Sequence, residues 1–227
     1  MKLDARLSAI YAQVDKCKVV ADIGSDHGKL GYALLEANVA EYLIAIDISV
    51  PSLDKTTRLL TDRFTGKFEV QAGDGLVPIV HENSVEQVVI AGIGGREIGK
   101  IILSSLKLAH ASNALVLQPM RDVVWLRGEL NKNNFKIVRD LVVKDGHKYY
   151  HILKVVSGAE LLTPLQLAFG AVASEYTSPA YQDWLEMLGQ KYHSIITSAR
   201  QAKTLDERKI KGAESCLNTI TELKNKE

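Results

Sequence analysis

Cysteine is nearly absent from this chain: Cys17 and Cys216 stand at opposite ends of 227 residues. Two thiols so placed exclude a disulfide framework and a cysteine-built zinc site. Histidine does not make good that lack, since His81, His110, His147, His151 and His193 show no metal-ligand spacing. No metal is expected. Long apolar runs are missing too: none reaches about 18 residues, and Met1–Arg6 opens an amphipathic stretch without a signal-like core. The expectation is a soluble cytoplasmic protein with no membrane partner. Nor is there an excess of one charge, because 28 Lys and Arg face 27 Asp and Glu, a formal net charge of +1. Composition therefore announces no nucleic-acid partner, and only local clustering on the folded surface could create such a face.

What is present is an alternation of apolar strands with amphipathic helices. Leu3, Leu7, Ile10, Tyr11 and Val14 recur at helical spacing and predict a helix ahead of the first strand, packed where it can wall a pocket. The first strand, around Val19–Asp22, precedes a helix over Lys29–Ala37. Strand Tyr42–Ile46 precedes a helix from Pro51 to Phe64, and Lys67–Gln71 is a short third strand. A fully apolar fourth strand, Gln87–Ala91, is followed by helical spacing at Ile98, Ile101, Ile102 and Leu106. Ala114–Leu117 and a helix over Val123–Asn131 complete the alternation. Phe135–Val143 and Tyr149–Val156 then form a hairpin around Asp145–Gly146.

This order predicts an α/β fold whose sheet is mostly parallel with an antiparallel C-terminal edge hairpin. The expected domains are 1–158, holding that sheet and the N-terminal helix, and 159–227, a helical extension. In the extension, Leu185, Leu188, Tyr192, Ile195 and Ala199 form one stripe and Ile210, Ala213, Leu217 and Ile220 another. The two predict a coiled-coil-like helical hairpin turning between Ala202 and Asp206. Lys191, Arg200, Lys203, Arg208, Lys209 and Lys211 are opposed in that stretch by Asp206 and Glu207. Such a cluster suits phosphates, while self-association or core capping accounts for the same pattern.

Val19–Gly28 reads as a strand running into a glycine turn. Gly24 and Gly28 permit close backbone approach to a nucleotide-bearing cofactor beyond the strand's carboxyl end. A dinucleotide site wants G-x-G-x-x-G and a pyrophosphate at the helix start, but here Ser25–Asp26 takes the second glycine's place and Asp22 precedes the first. Two carboxylates beside two phosphates would repel. A cationic sulfonium carrying an amino-acid group suits them, which points to S-adenosylmethionine as the cofactor; a tight turn in another α/β protein is the bland alternative. Asp47 ends the second strand, where an acid can accept from both ribose hydroxyls or cap the next helix. Asp74, between Gly73 and Gly75, suits an adenine amino group or a plain turn. Ala91–Gly92–Ile93–Gly94–Gly95 closes the fourth strand, and its glycines leave room for a planar base or the methyl donor, or serve a strained turn. His27 adjoins the cofactor turn and can position substrate, act as a base or pack structurally.

These strings resemble the bacterial tRNA (adenine22-N1)-methyltransferases. The resemblance rests on Arg6–Leu7, Ala21–His27, Gly73–Leu76, Ile90–Gly95, Leu117–Pro119, Leu126–Arg127 and Gly146–Tyr150, and it spans essentially the whole chain. It implies a Rossmann-like class I methyltransferase sheet with a helical tRNA-binding extension and tRNA as partner; separately, a monomer is expected. Implied cofactor contacts are Asp22, Gly24, Ser25, Gly28, Asp47, Ile48, Asp74, Gly75, Ala91 and Gly92. Asp26, His27, Gly92 and Gly94 border the reaction centre. Substrate contacts are Arg6, His27, Gln118, Arg121, Arg127, Tyr150, Lys191, Arg200, Lys203 and Arg208, with Lys132, Lys136, Lys144 and Lys148 as further basic positions. The chain departs from the family at Ile93, usually Met, and at Met120, usually Asn. The first keeps apolar bulk; the second removes an amide near the base pocket, which Gln118 or a backbone carbonyl could replace, unless substrate recognition has shifted. Methylation of another RNA base or of a small molecule, or a noncatalytic module binding S-adenosylmethionine or RNA, are the alternatives.

Overall fold

A computed structural model describes residues 1–79, 85–202 and 206–224. The chain divides into two compact units, Met1–Val172 and Ala173–Glu227. The first begins with α1 (Ala5–Tyr11), whose amino end is capped by Asp4 accepting from the Leu7 N–H at 2.6 Å. Then follow β1 (Cys17–Ile23), α2 (Lys29–Glu36), β2 (Ala40–Asp47), α3 (Val50–Phe64) and β3 (Phe68–Ala72). β4 (Gln87–Ile93), α4 (Gly95–Ser104), α5 (Leu106–Ala111), β5 (Ala114–Pro119) and α6 (Val123–Lys132) continue the alternation. β6 (Phe135–Asp145), β7 (Lys148–Ser157) and α7 (Pro164–Phe169) complete the unit.

The seven strands lie in the order β3-β2-β1-β4-β5-β7-β6. The first five pair in parallel and β7 joins antiparallel to both β5 and β6, as the hairpin signal around Asp145–Gly146 requires. Because both faces are covered, the middles of the central strands are continuous apolar runs, with Asp22, Gln87 and Gln118 as buried polar residues toward their ends. Ala21, Ile23, Val88, Ile90, Leu115 and Leu117 pack on one face with Ile98, Ile102 and Leu126 from α4 and α6. Val20, Leu43, Ala45, Val89 and Val116 pack on the other with Ile10, Leu34 and Leu60 from α1, α2 and α3. Sequence order reverses between β1 and β4, so the crevice at their carboxyl ends is where an open sheet of this kind receives a ligand.

The strands run up to two residues beyond the expected bounds, and the helical spacing after Gly95 belongs to two helices that part at Ser105. A larger correction concerns the domain boundary. Residues 159–172 belong with the sheet, because polar groups buried there need them: Arg127 Nη1 donates to the Leu167 carbonyl at 3.1 Å and Asp140 Oδ2 accepts from the Ala171 N–H at 2.6 Å. Leaving either group unpaired would cost roughly 1–3 kcal/mol.

The second unit holds a 3₁₀ turn at Ala173–Glu175, then α8 (Pro179–Gln201) and α9 (Glu207–Lys224), packed along one another. Ile196, Ala199, Ile210 and Ala213 are buried between them with Tyr192, Ile195 and Leu217 alongside; all but Ile196 belong to the two expected stripes. Part of the expected turn, residues 203–205, lies outside the described residues. Among the described residues no helix is long and apolar enough to cross a membrane.

Candidate active site

A cavity of about 640 Å³ opens at the carboxyl ends of β1, β2 and β4, within the size range of small-molecule and cofactor sites. Asp22, Gly24, Ser25, Asp26 and His27 line it from β1 and its turn, Asp47 and Ile48 from β2. Gly73, Asp74 and Gly75 follow β3, Ala91, Gly92 and Ile93 end β4, and Asp4, Arg6 and Leu7 of the first helical turn form a wall.

Asp22 is the buried acid of this set, 4% exposed. Burial, and then the charge of Asp47, push its carboxyl up to about 7. No hydrogen bond from a described residue reaches that carboxylate, so a cationic ligand group would find an acid waiting for a partner. Asp47 is partly committed: Oδ2 accepts from the Asp26 N–H at 3.1 Å and Oδ1 from the Ser49 N–H at 2.8 Å. It ties the β2 end to the glycine turn and keeps further lone pairs for a ligand. Ser49, not Asp47, caps α3. Asp26 sits at φ +46°, unusual for a side-chain-bearing residue, with its carbonyl held by Thr56 Oγ1 at 3.1 Å. Its carboxylate is exposed, 3.6 Å from His27 Nε2.

The glycines separate into two groups. Gly24 (φ +73°) has nothing within 4 Å of where a Cβ would stand, and Gly92 (φ +82°) has only Arg6 Nη1 at 3.7 Å. Both leave bare backbone on the cavity. Gly28, Gly94 and Gly95 do not. A Cβ on Gly28 would meet Thr56 at 2.7 Å, so this glycine lets α2 approach α3 and does not line the cavity. A Cβ on Gly94 would stand 3.1 Å from Arg121 Nε, and one on Gly95 would strike the Arg121 and Asp122 carbonyls at 2.8 Å. The room expected there for a purine is taken by the β5–α6 loop.

Ser25 Oγ is buried with no hydrogen-bond partner among the described residues. An orphaned hydroxyl, an unpartnered buried acid and two bare backbone positions in one cavity fit a ligand that brings both a cation and hydrogen-bonding groups. S-adenosylmethionine is such a ligand, and Asp22, Gly24, Ser25, Asp47, Ile48, Asp74 and Gly75 would hold it.

The expected substrate residues fare unevenly. Arg6 lines the cavity, donates from Nη1 to Gln118 Oε1 at 2.8 Å and stands over the Tyr150 ring, 5.8 Å from its centroid. Gln118 itself is fully buried, with its amide given to the Pro119 carbonyl and the Met120 sulfur. It anchors Arg6 and cannot replace an amide on the base. Arg127 is a second correction: fully buried, it forms two hydrogen bonds with Asp140 at 2.8 and 2.9 Å and reaches His151 at 3.2 Å. It is a core residue and meets no RNA. Arg121 is exposed outside the cavity. In the second unit Lys191 and Arg208 are exposed, Arg200 is paired with Glu214 at 2.8 Å, and Lys203 lies outside the described residues. Leu7 lines the cavity on the helix expected to wall it, whereas sequence reasoning missed Asp4 and Ile101 as lining residues. Ile101 carried only the signal of an apolar helical face.

A doubly covered parallel sheet with an antiparallel edge, carrying this crevice, defines a Rossmann-like methyltransferase. The methyltransferase-domain family matches residues 3–153, and the chain belongs to it. Within that family its likeness runs to bacterial tRNA methyltransferases. It is 30% identical over 199 residues to a putative tRNA methyltransferase of Mycoplasma pneumoniae, covering 84% of this chain and 87% of that one. It is 25% identical over 219 residues to the tRNA (adenine(22)-N(1))-methyltransferase of Bacillus subtilis, covering 93% and 91%. The crystal structure of Streptococcus pneumoniae Sp1610, a putative tRNA (m1A22) methyltransferase, superposes with a TM-score of 0.91 at 24% identity, covering 99% and 100%. Its complex with S-adenosyl-L-methionine gives 0.85.

Proposed function

We propose that this chain transfers a methyl group from S-adenosylmethionine to N1 of adenine 22 in tRNA, acting in the cytoplasm as a monomer. The observation that carries the reading is the crevice itself: buried Asp22 and orphaned Ser25 beside bare backbone at Gly24 and Gly92. The end-to-end likeness to tRNA methyltransferases supplies the substrate.

Bound S-adenosylmethionine supplies an electrophilic methyl on a sulfonium. Adenine N1 carries an unprotonated lone pair at neutral pH, so no strong general base is needed. The chain's task is alignment, which supplies about 7–11 kcal/mol in favourable cases, together with charge stabilisation. Asp26, exposed on the rim, offers negative potential to the base as it becomes cationic. His27, 3.6 Å from it, orients that carboxylate or the base. Arg6, fixed by Gln118 and Tyr150, borders the bare backbone of Gly92 on the cavity wall. N1 lies on the pairing edge, so the base must be unpaired before reaction. The exposed Lys191, Arg208, Lys209 and Lys211 of the helical unit are suited to hold the RNA backbone meanwhile.

The test is to incubate purified tRNA with labelled methyl donor, map the modified base, and repeat with adenine 22 replaced. Label at N1 of adenine 22, lost on replacement, is expected. Label at another base moves the substrate assignment, and no label on any RNA defeats the reading.

A further inference from the structure

The glycines that do not face the cavity have made room for something else. Gly95 donates its N–H to the Arg121 carbonyl at 2.9 Å, and Met120 donates to the Ile93 carbonyl at 2.8 Å. The β4–α4 and β5–α6 loops are thereby locked edge to edge. With no Cβ on Gly94, the Arg121 side chain lies across that position. One turn further along α4, a Cβ on Gly99 would meet the Trp125 ring at 2.6 Å, so the ring packs against the helix. Arg96 then stacks on that ring, 5.0 Å from its centroid. Between the two guanidinium groups stands Asp122, held at φ +59°, with Oδ2 3.9 Å from Arg96 Nε and 3.8 Å from Arg121 Nε.

We propose that Arg96 and Arg121 form a cradle for one phosphodiester group of the RNA beside the target nucleotide, a subsite resting on the tRNA reading above. Both contacts to Asp122 exceed hydrogen-bond length, so the carboxylate orients two arginines without consuming their donors. The side chains are 58% and 75% exposed, and exposed ion pairs of this kind hold each other weakly. Two positive charges outweigh one negative, and the other acid of the stretch, Glu97, pairs with Lys100 at 3.4 Å. Arginine presents a planar fork that matches phosphate, and stacking on Trp125 fixes one fork in advance.

Position decides the partner. Ile93 and Glu97, which bracket Gly94 and Arg96, line the cofactor cavity, so the cradle adjoins its mouth. S-adenosylmethionine carries no phosphate and gives the cradle nothing to hold. A base entering the cavity must leave its flanking phosphates at the mouth.

The experiment measures tRNA binding and methyl transfer for wild type, R96Q/R121Q and R96K/R121K. It uses tRNA in which each linkage flanking the target adenine is in turn a neutral methylphosphonate. R96Q/R121Q should bind unmodified tRNA about tenfold more weakly, with the slope of log Kd against log salt reduced by about 1. One neutral linkage should weaken the wild type comparably and leave R96Q/R121Q unaffected, while R96K/R121K, which keeps charge but not the fork, falls between. Unchanged calorimetric affinity for S-adenosylmethionine verifies that the variants are folded. The cradle is overturned if R96Q/R121Q binds like wild type, or if both proteins respond equally at every flanking linkage. Because binding is read apart from turnover, failure of the cradle leaves methylation by the wild type intact, whereas failure of the tRNA reading abolishes it.

Discussion

Replacing Asp22 with Asn separates what this residue does for the cofactor from what it costs the fold. Burial, and then the charge of Asp47, push the Asp22 carboxyl up to about 7, against 3.8 for the ordinary group. Between pH 4 and 7 the unfolded chain has lost this proton while the folded chain still holds it. The folded state therefore binds more protons, and stability falls as pH rises across that window. Each pH unit costs about 1.4 kcal/mol, so from pH 5 to pH 8 the wild type should lose about 3 kcal/mol that the non-titrating Asn variant keeps. At about 2–4 °C per kcal/mol for a unit of this size, melting curves resolve the difference easily. Cofactor affinity should move the other way. S-adenosylmethionine's cation favours ionised Asp22, so wild-type affinity should rise up to tenfold per pH unit from pH 5 toward 7, while the Asn variant binds weakly and with little pH dependence. Melting at several pH values, paired with calorimetric titration, reads both. Parallel pH curves for the two proteins would refute the argument, as would an Asn variant that binds as tightly as wild type.

Two further substitutions probe the framework. Asp140→Ala strands the buried Arg127 guanidinium and frees the Ala171 N–H, and His151, pushed down to about 4 chiefly by burial, cannot replace the lost anion. Denaturant unfolding should show a loss of about 3–5 kcal/mol, with faster proteolysis within 159–172; a loss below 1 kcal/mol would contradict the network. Gly95→Ala drives a methyl against two backbone carbonyls at 2.8 Å, a clash no side-chain rotation relieves. A drop of about 1–3 kcal/mol is expected, and an unaltered melting temperature would show that the two loops are not locked.

Much of the crevice was legible because backbone chemistry writes itself locally. Strands buried on both faces read as continuous apolar runs, and acids at their ends, as at Asp22 and Asp47, mark where the sheet stops and the ligand begins. What was illegible depends on residues distant in sequence. Arg127 lies in a helix whose pattern suits an exposed cation, and only pairing with Asp140 on β6 and with the segment around Leu167 makes it a core residue. The same pairing moves the domain boundary, since a segment that satisfies buried groups of the sheet unit cannot be separated from it. Gly28, Gly94 and Gly95 show the complementary difficulty. A glycine announces that something comes close but not what, and at Gly24 the approach is open cavity while at Gly95 it is the protein's own backbone. The glycine string at the end of β4 thus holds two instructions: Gly92 clears the cofactor cavity, and Gly94–Gly95 lets the β5–α6 loop with Arg121 close against the start of α4. Recognition of the methyl donor and placement of the arginines are thereby written into neighbouring residues, which ties the geometry of one to the geometry of the other.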